Sequence, residues 1–232
     1  MSETATPVRH PRQEGRARRS VQLRITEIFH SLQGEARTVG RPTVFVRLTG
    51  CPLRCVYCDT GYAFHGGELM EIEQIVRRVG TWGTRFVTVT GGEPLAQAGC
   101  PEFMRGLCDA GYAVSLETSG AMDISAVDRR VSRVVDIKTP GSGEVHRNLY
   151  ANLGQLTPHD QLKFVLCDRR DYEWARDLVK GCDLTSRCEV LFSPSHGVLG
   201  AATLADWIVG DALPVRFQIQ LHKYLWGDVP GR

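Results

Sequence analysis

The sequence lacks any apolar run that approaches the roughly 18 residues of a membrane-spanning helix. It also lacks internal repeats, low-complexity tracts and, after residue 22, any linker rich in proline or serine. These absences argue against a helical membrane protein and a repeat protein. The 232 residues are enough for one large domain or two small ones. An apolar fraction of 42% and a charged fraction of 23% are ordinary for a globular chain.

The N-terminal region lacks the apolar core of a secretory signal. Residues 1–20 contain five Arg and two Glu and almost no large apolar side chain. We expect residues 1–22 to be a disordered leader, because so polar a segment cannot bury enough surface to offset its ordering entropy. A weak RNA-attracting arm and a transit peptide are the alternatives. The whole chain carries +2 and residues 1–20 carry +3, so the remaining chain carries −1, which does not suit a nucleic-acid binder.

Eight cysteines without a secretory signal indicate a reducing compartment, and we expect a cytoplasmic protein. Thiols in such a compartment are free, catalytic or bound to metal. Five of the eight are scattered without the spacing of metal ligands, and we interpret them as packing residues: Cys100, Cys108, Cys167, Cys182 and Cys188.

The pattern along the chain alternates strand and helix. Strands are predicted at residues 43–49, 86–90, 112–118, 133–139, 161–166, 189–193 and 215–220. Helices are predicted from Leu69 to Gly80 and at residues 101–111, 124–130, 170–180 and 203–209. About six strand–helix units predict one α/β domain, residues 23–232, with a parallel sheet that is either open or curled into a full or partial barrel.

In all of these architectures, ligands bind beyond the C-terminal ends of the strands. The stretches that follow the predicted strands are polar, rich in glycine or rich in cysteine. They read GCPLRCVYCDT, GGEP, TSG, KTPGSGE and, near the end of the chain, QLHKY. The sequence therefore predicts that these five stretches meet at one rim of the sheet.

The first of these stretches holds Cys51, Cys55 and Cys58. A disulfide uses two sulfurs and a structural zinc uses four ligands, so three thiolates suit neither. They suit a [4Fe–4S] cluster, usually held by four cysteines, with one iron left open to a small molecule. Zinc with an open position is the alternative, although the first further ligand is His65 and no second CxxC follows.

The CxxxCxxC loop together with TGGEP at residues 90–94 resembles the radical S-adenosylmethionine (SAM) superfamily. The resemblance implies that the open iron binds the amino and carboxylate groups of SAM. It also implies that an electron from the cluster cleaves the cofactor, and that a 5′-deoxyadenosyl radical then abstracts hydrogen from the substrate.

Longer stretches narrow the resemblance to the 7-carboxy-7-deazaguanine synthases. The similar blocks lie in order between residues 25 and 226: FHSLQGEARTVGRPTVFVRLTGCPLRCVYCDT, TGGEP, ETSG, DIKTPGSGE and QLHKYLW. This resemblance implies a partial (β/α)6 barrel of the radical SAM type. It implies conversion of 6-carboxy-5,6,7,8-tetrahydropterin to 7-carboxy-7-deazaguanine with loss of ammonia, in the biosynthesis of queuosine and related deazapurines. It further implies Mg²⁺, an electron donor such as flavodoxin, a homodimer, and neither a nucleic-acid nor a membrane partner.

The resemblance also implies roles for individual residues. Cys51, Cys55 and Cys58 would hold the cluster, and Thr60 would offer an oxygen to Mg²⁺, with a loop-capping hydroxyl as the alternative. The residues implied for SAM are Tyr57, Cys58, Asp59, Gly91, Gly92, Glu93, Glu117, Ser119, Lys138, Thr139 and Pro140. For Glu117, a structural carboxylate paired with Lys138 is the alternative.

The residues implied for the substrate are Leu32, Gln33, Gly34, Glu35, Arg47, Thr90 and His222. Gln33 and Glu35 suit the guanidine-like edge of a pterin, and the guanidinium fork of Arg47 suits its carboxylate. Strand alternation allows Arg47 to face a barrel interior. The alternatives are an exposed strand position for Arg47 and a surface position for His222.

Two differences from the family pattern stand out. Here LQGEG reads LQGEA, so Ala36 would be strained if that backbone needs a positive φ, and QTHK reads QLHK. Two rival functions remain open on the sequence. One is another small radical SAM enzyme, such as an activase of a glycyl-radical enzyme, and the other is a zinc-binding interaction module.

Overall fold

The computed structural model describes residues 21–229 and residue 231 and is centred on one nine-stranded sheet. The strands are β1 (Gln22–Leu32), β2 (Pro42–Leu48), β3 (Glu68–Glu71), β4 (Phe86–Gly91), β5 (Ala113–Thr118), β6 (Ser132–Asp136), β7 (Gln161–Leu166), β8 (Glu189–Pro194) and β9 (Arg216–Phe217). The helices are α1 (Ile72–Val79), α2 (Cys100–Asp109), α3 (Arg169–Gly181), α4 (Ala201–Gly210) and α5 (Leu221–Trp226). No helix within the described residues is long and apolar enough to cross a membrane.

The sheet order is β3-β1-β2-β4-β5-β6-β7-β8-β9, which leaves β3 and β9 as edges. In the part of the sheet that runs β2-β4-β5-β6-β7-β8-β9, each strand is parallel to its neighbours. The parallel part confirms the predicted partial α/β barrel, in which the C-terminal ends of the strands share one rim. β1 and β3 extend this barrel as antiparallel strands, which the sequence interpretation did not include.

The described chain begins immediately before β1. Residues 1–20, which form most of the predicted leader, lie outside the described residues. Gln22, the last residue of that predicted leader, already pairs with Glu71 of β3. The sheet therefore starts one residue before the predicted domain boundary at residue 23.

The predicted helix at residues 124–130 is wrong, because this segment consists of turns. The Asp123 carboxylate accepts hydrogen bonds from the backbone N–H and the hydroxyl of Ser125, at 2.9 and 2.7 Å. The Asp128 carboxylate accepts from the backbone N–H of Arg130 at 3.0 Å. Such local bonds from Asp side chains offer the backbone an alternative to helical bonding, which explains the difference.

Two other element bounds differ from the prediction. Leu69 lies in β3 and is half-exposed, so α1 begins only at Ile72. The helix ends at Val79, with Gly80 at the predicted C-terminal position as its cap. The strand predicted at residues 215–220 is limited to Arg216 and Phe217. The remaining predicted helices and strands are confirmed within a few residues.

The hydrophobic core lies between the outer face of the sheet and the helices. Outward side chains such as Val46, Val89, Leu116, Leu162 and Phe164 are fully buried there. Aromatic rings add specific contacts, since the Phe164 ring lies 5.4 Å from that of Phe192 in an edge-to-face arrangement. This packing fixes the strands and thereby the positions of the side chains that point to the other face.

Candidate active site

The inner face of the sheet is polar at the rim. Alternation along parallel strands points Arg47, Thr90, Glu117, Asp136 and Lys163 inward from β2, β4, β5, β6 and β7. Together with the loops beyond the strand ends they line a cavity of about 380 Å³. Charged residues seldom occupy a core without a partner or a function, so this cavity is the candidate active site.

The cysteine loop begins two residues beyond β2 and forms one wall of the cavity. Cys51, Cys55 and Cys58 all line it. The loop is fixed from outside, because the backbone N–H of Val56 donates to the Ser142 carbonyl at 3.0 Å. The backbone N–H of Arg54 likewise donates to Glu144 Oε1 at 2.6 Å. The KTPGSGE stretch predicted at the same rim therefore holds the loop in place.

The chemistry of the three thiols suits an iron–sulfur cluster, because such clusters are held by cysteine thiolates. Within residues 21–229 and 231, no three Cys, His, Asp or Glu side chains converge as the ligands of one ion would. A cubane holds its thiolates on separate irons and so needs them spread around a shared space. Burial raises the pKa of the Cys55 thiol to about 11, so loading with iron must displace protons from these sulfurs.

The two glycines of GGEP bring the end of β4 against the cysteine loop. A Cβ on Gly91 would collide with the backbone of Leu48, and one on Gly92 would collide with the Gly50 carbonyl. The backbone N–H of Glu93 donates to the same Gly50 carbonyl at 2.8 Å. Both glycines also line the cavity, so they serve the packing of this wall and leave bare backbone on its surface.

Glu93 does not reach the cavity. Its carboxylate is fully buried and accepts hydrogen bonds from the Thr118 hydroxyl at 2.9 Å and from the Ser119 backbone N–H at 2.7 Å. The Ser119 hydroxyl and the backbone N–H of Leu95 donate to it as well. Glu93 therefore ties β4 to the end of β5 and positions Ser119, which does line the cavity.

The KTP residues divide between cavity and core. Lys138 lines the cavity, and its Nζ donates to Asp136 Oδ2 at 2.8 Å. Burial opposes its charge, but the Asp136 carboxylate outweighs this effect and raises the pKa of Lys138. Thr139 is fully buried, with its hydroxyl 2.9 Å from Asp171 Oδ2, and Pro140 begins a 3₁₀ turn outside the cavity.

Glu117 lies with the predicted substrate residues, although it was predicted among those for SAM. The Thr90 hydroxyl donates to its Oε2 at 2.9 Å, and Gln33 Nε2 donates to its Oε1 at 3.3 Å. Burial, with the nearby Glu35 carboxylate, raises the pKa of Glu117. The alternative pair between Glu117 and Lys138 is not present, because Lys138 binds Asp136.

Glu35 is held by two donors. Lys163 Nζ donates to its Oε2, and Gln220 Nε2 donates to its Oε1 at 2.8 Å. Burial opposes ionisation, but the Lys163 ammonium outweighs it and lowers the pKa of Glu35. The pKa values of these two neighbouring carboxyl groups are therefore shifted in opposite directions, downward for Glu35 and upward for Glu117.

The loop after β1 makes close contact with α5. The backbone N–H of Leu221 donates to the Gly34 carbonyl at 2.9 Å, and a Cβ on Gly34 would collide with the His222 ring. His222 lines the cavity beside Leu32, and burial lowers its pKa. The surface position considered for His222 is therefore wrong.

Arg47 points into the cavity, as alternation allowed, and its side chain is 16% exposed. Its Nε donates to Glu27 Oε1 at 2.6 Å. Its guanidinium carbon lies 5.8 Å from the ring centres of both Phe29 and Tyr62. Glu27 binds the Nε side, and neither Nη group donates a hydrogen bond to any of the residues that the structure describes, so both can make a bidentate contact with an anion.

Asp59 and Thr60 close the rim beside the cysteine loop. The Thr60 hydroxyl donates to Asp59 Oδ1 at 2.8 Å, and Lys223 Nζ lies 2.8 Å from Asp59 Oδ2. Burial opposes ionisation of Asp59, but Lys223 outweighs it and lowers its pKa to about 2. A carboxylate and a hydroxyl side by side are hard oxygen donors of the kind that Mg²⁺ prefers.

The cavity therefore brings together every predicted site residue except Glu93, Thr139 and Pro140. It also contains residues that the sequence interpretation did not assign: Phe29, Phe45, Tyr62, Asp136, Lys163, Gln220 and Lys223. For Lys163 a signal was present, since a lysine in the middle of the otherwise apolar strand QLKFVL is unusual. Lys163 lies within β7, however, so the expectation that ligands bind beyond the ends of the strands does not include it.

Comparison with known proteins gives the family. The model of the radical SAM superfamily matches residues 45–180. The 7-carboxy-7-deazaguanine synthase of Chlorobaculum tepidum is 44% identical over 207 residues, which cover 88% of this chain and 94% of that protein. The chain belongs to the radical SAM superfamily and, within it, to the 7-carboxy-7-deazaguanine synthase family. The family resemblance inferred from the motifs is thereby confirmed.

Other relatives and solved structures agree. The 7-carboxy-7-deazaguanine synthase of Koribacter versatilis is 42% identical and covers 88% of this chain and 97% of that protein. The crystal structure of QueE from Escherichia coli has a TM-score of 0.71 at 24% identity, covering 87% of this chain and 95% of that chain. At that identity the structural match supports the fold alone. Membership of the radical SAM superfamily implies a [4Fe–4S] cluster and SAM as cofactors.

Proposed function

We propose that the protein converts 6-carboxy-5,6,7,8-tetrahydropterin to 7-carboxy-7-deazaguanine with loss of ammonia, in the biosynthesis of queuosine and related 7-deazapurines. One observation carries the proposal. A single cavity is lined both by the three cysteines of the loop and by a set of polar groups suited to a small anionic heterocycle. The name of the relatives supports the same reaction, since they match over most of their length.

The cysteine wall would hold the cofactors. Cys51, Cys55 and Cys58 would bind three irons of the cluster through thiolates, and the fourth iron would be left to SAM. When bound, the two cofactors supply a 5′-deoxyadenosyl radical that abstracts hydrogen from the substrate. Tyr57 supports a ligand on this side, because its phenol oxygen is buried in the cavity wall without a hydrogen-bond partner among the described residues.

The opposite wall would hold the pterin. The free Nη groups of Arg47 would bind the substrate carboxylate, and the flanking Phe29 and Tyr62 rings would exclude water from that contact. Glu35 and Glu117 would accept hydrogen bonds from the guanidine-like edge of the ring. Gln33 would act indirectly, because its amide already donates to Glu117 and Thr88 and accepts from the Glu35 backbone N–H.

Mg²⁺ would lie near Thr60, with the neighbouring Asp59 carboxylate as a further oxygen ligand or as a partner of bound water. The electron would come from a small donor such as flavodoxin, the protein would be a homodimer, and it would act in the cytoplasm. The family resemblance supports the donor and the homodimer, and the eight free thiols support the reducing compartment.

Product formation by the loaded protein tests the proposal. Protein reconstituted with iron and sulfide under anaerobic conditions, then reduced, is incubated with SAM, Mg²⁺ and 6-carboxy-5,6,7,8-tetrahydropterin. We expect 7-carboxy-7-deazaguanine by mass spectrometry and an equal amount of ammonia. Cys55→Ala is the matched control and should yield neither. Reductive cleavage of SAM without any deazaguanine would show a radical SAM enzyme that acts on a different substrate.

A further inference from the structure

Glu27 of β1 binds two residues that line the cavity, although it does not line the cavity itself. Its Oε1 accepts hydrogen bonds from Arg47 Nε at 2.6 Å and from the Tyr62 hydroxyl at 2.8 Å. Arg47 belongs to β2, and Tyr62 belongs to the 3₁₀ turn Gly61–Phe64 that follows the cysteine loop. One carboxylate oxygen therefore joins three separate segments beside the cavity, and the proposed function gives this carboxylate no task.

A bulge in β1 turns Glu27 toward the cavity side of the sheet. The register with β2 shifts between Ile25 and Glu27, which adds one residue to β1. Ile25, before the bulge, is buried in the core, whereas Phe29, after it, lines the cavity. Regular alternation would place these three residues on one face of the strand. The extra residue instead places Glu27 and Phe29 on the cavity side, with Glu27 directly opposite Arg47, and bulges beside active sites often redirect a side chain in this way.

The contact with Glu27 leaves Arg47 one way to bind a carboxylate bidentately. A guanidinium can pair with a carboxylate through Nε and one Nη group, or end-on through its two Nη groups. Glu27 occupies Nε, so the end-on contact remains. The rings of Phe29 and Tyr62 lie beside the guanidinium and restrict its movement further. Arg47 is thereby held in one orientation before a ligand arrives, which lowers the entropic cost of binding.

Glu27 also has an opposing effect on an anionic ligand. Its negative charge lies beside the guanidinium that would bind the ligand carboxylate, and like charges repel. The side chain of Glu27 is 23% exposed, so solvent and salt weaken this repulsion. The fixed orientation of Arg47 does not depend on such screening, so we expect it to outweigh the repulsion.

From these contacts we propose that Glu27 is a positioning residue, which holds Arg47 for end-on recognition of the 6-carboxylate of the substrate. The inference rests on the proposed function, because it takes the carboxylated pterin as the ligand of this cavity. It deepens that function by assigning the selection of carboxylated rings to a residue outside the cavity lining. A site built around a hydrogen bond to a particular group discriminates against an analogue that lacks the group.

Two ligands that differ only in the carboxylate test the proposal. Pterin-6-carboxylate and pterin are titrated by fluorescence into the anaerobic, cluster-loaded protein with SAM. We expect the wild type to bind pterin-6-carboxylate at least ~10-fold more tightly than pterin. Glu27→Ala should reduce this preference to about threefold or less, because Arg47 loses its fixed orientation.

The conservative variant distinguishes positioning from charge. Glu27→Gln keeps an acceptor oxygen for Arg47 Nε and removes the negative charge, so it should retain or increase the preference for the carboxylated ligand. Glu27→Thr suits a strand and is too short to reach Arg47, so it protects against a loss of folding in the alanine variant and should likewise lose the preference. Glu102→Ala changes an exposed glutamate of α2 and should leave both affinities as in the wild type.

Three results would overturn the proposal. If Glu27 only supports the fold, Glu27→Ala and Glu27→Thr will weaken both ligands equally and keep the ratio of the two affinities. A larger preference in these two variants would mean that the repulsion outweighs the positioning. A loss of the preference in Glu27→Gln would mean that the charge of Glu27, and not its hydrogen bond, is what matters.

The product assay separates this proposal from the proposed function. Deazaguanine formed by the wild type, together with an unchanged ratio of affinities in Glu27→Ala, would leave the function standing and remove the role of Glu27. A wild type that prefers the carboxylated ligand through Glu27 but forms no deazaguanine would remove the function and leave the recognition of the carboxylate.

Discussion

The two faces of the same strands differ in chemistry although they share one backbone. On β7, Phe164 points outward into a fully buried aromatic cluster, while its neighbour Lys163 points inward to three carboxylates. On β4, Val89 points to the core and Thr90 to the cavity. The outer face thus holds the strands together through apolar burial, and the inner face uses that rigidity to keep charged groups near one another at a cost in stability.

The largest effect is expected at the cysteine loop. Cys55→Ala removes one of the three thiols that line the cavity. We expect the variant to bind no iron and sulfide and to form no product, because two cysteines do not retain the cluster. Cys182→Ala, at the end of α3, is the matched control and should bind as much iron and sulfide as the wild type. An iron and sulfide content in the Cys55 variant equal to that of the control would contradict the assigned ligands.

On the outer face, Phe164→Ala should cost about 3–5 kcal/mol of unfolding free energy, because it leaves a cavity between the rings of Phe192 and Trp174. The adjacent inward change Val165→Ala should cost clearly less. Denaturant unfolding of both variants measures the difference. Equal losses would mean that the two faces of β7 contribute equally to stability and would contradict the difference between them.

On the inner face, Glu117→Gln replaces one of the acceptors proposed for the substrate ring with an amide and should raise KM by about 10-fold or more, while the variant remains folded. The fold raises the pKa of Glu117 above the unfolded value of about 4.3, so its ionisation destabilises the native state as pH rises above that value. The Tm of the variant relative to the wild type should therefore increase from pH 5 to pH 8. A Tm difference that shrinks over this interval would show that Glu117 is stabilised as the carboxylate.

The smallest effect is expected at Ala36, which has a φ of 61° and is nearly fully buried. This positive φ confirms the strain expected from LQGEA. Ala36→Gly relieves it but loses one buried methyl group and adds freedom to the unfolded chain. We expect a gain of up to about 1 kcal/mol in the free energy of unfolding, with unchanged activity, measured by denaturant titration. A loss of 1 kcal/mol or more would mean that the methyl contact outweighs the strain.

The sequence was most informative where one local rule decides the structure. Parallel strands and α2 to α4 follow from hydrophobic periodicity, and the rim stretches follow from where parallel strands end. β1 was missed because a bulge between Ile25 and Glu27 breaks its alternation. The segment at residues 124–130 has a helical pattern, but its Asp side chains satisfy the backbone locally.

Within the site, the motifs predicted which residues meet but not what each one touches. Glu93 follows two glycines at the rim, yet Thr118 and Ser119 take its carboxylate into the core. Lys163 stands within a strand, where spacing alone does not indicate a site. Such pairings depend on contacts between residues far apart in sequence, as between Lys163 and Glu35, and these are set by the tertiary packing.

The central claim is that three thiolates leave one iron open for SAM, and electron paramagnetic resonance of the reduced, cluster-loaded wild type tests it most directly. We predict a content near four irons and four sulfides per chain. We also predict a [4Fe–4S]⁺ spectrum whose g-values shift when SAM is added. A full cluster whose spectrum is unchanged by saturating SAM, or a protein that binds zinc and no sulfide, would contradict the account.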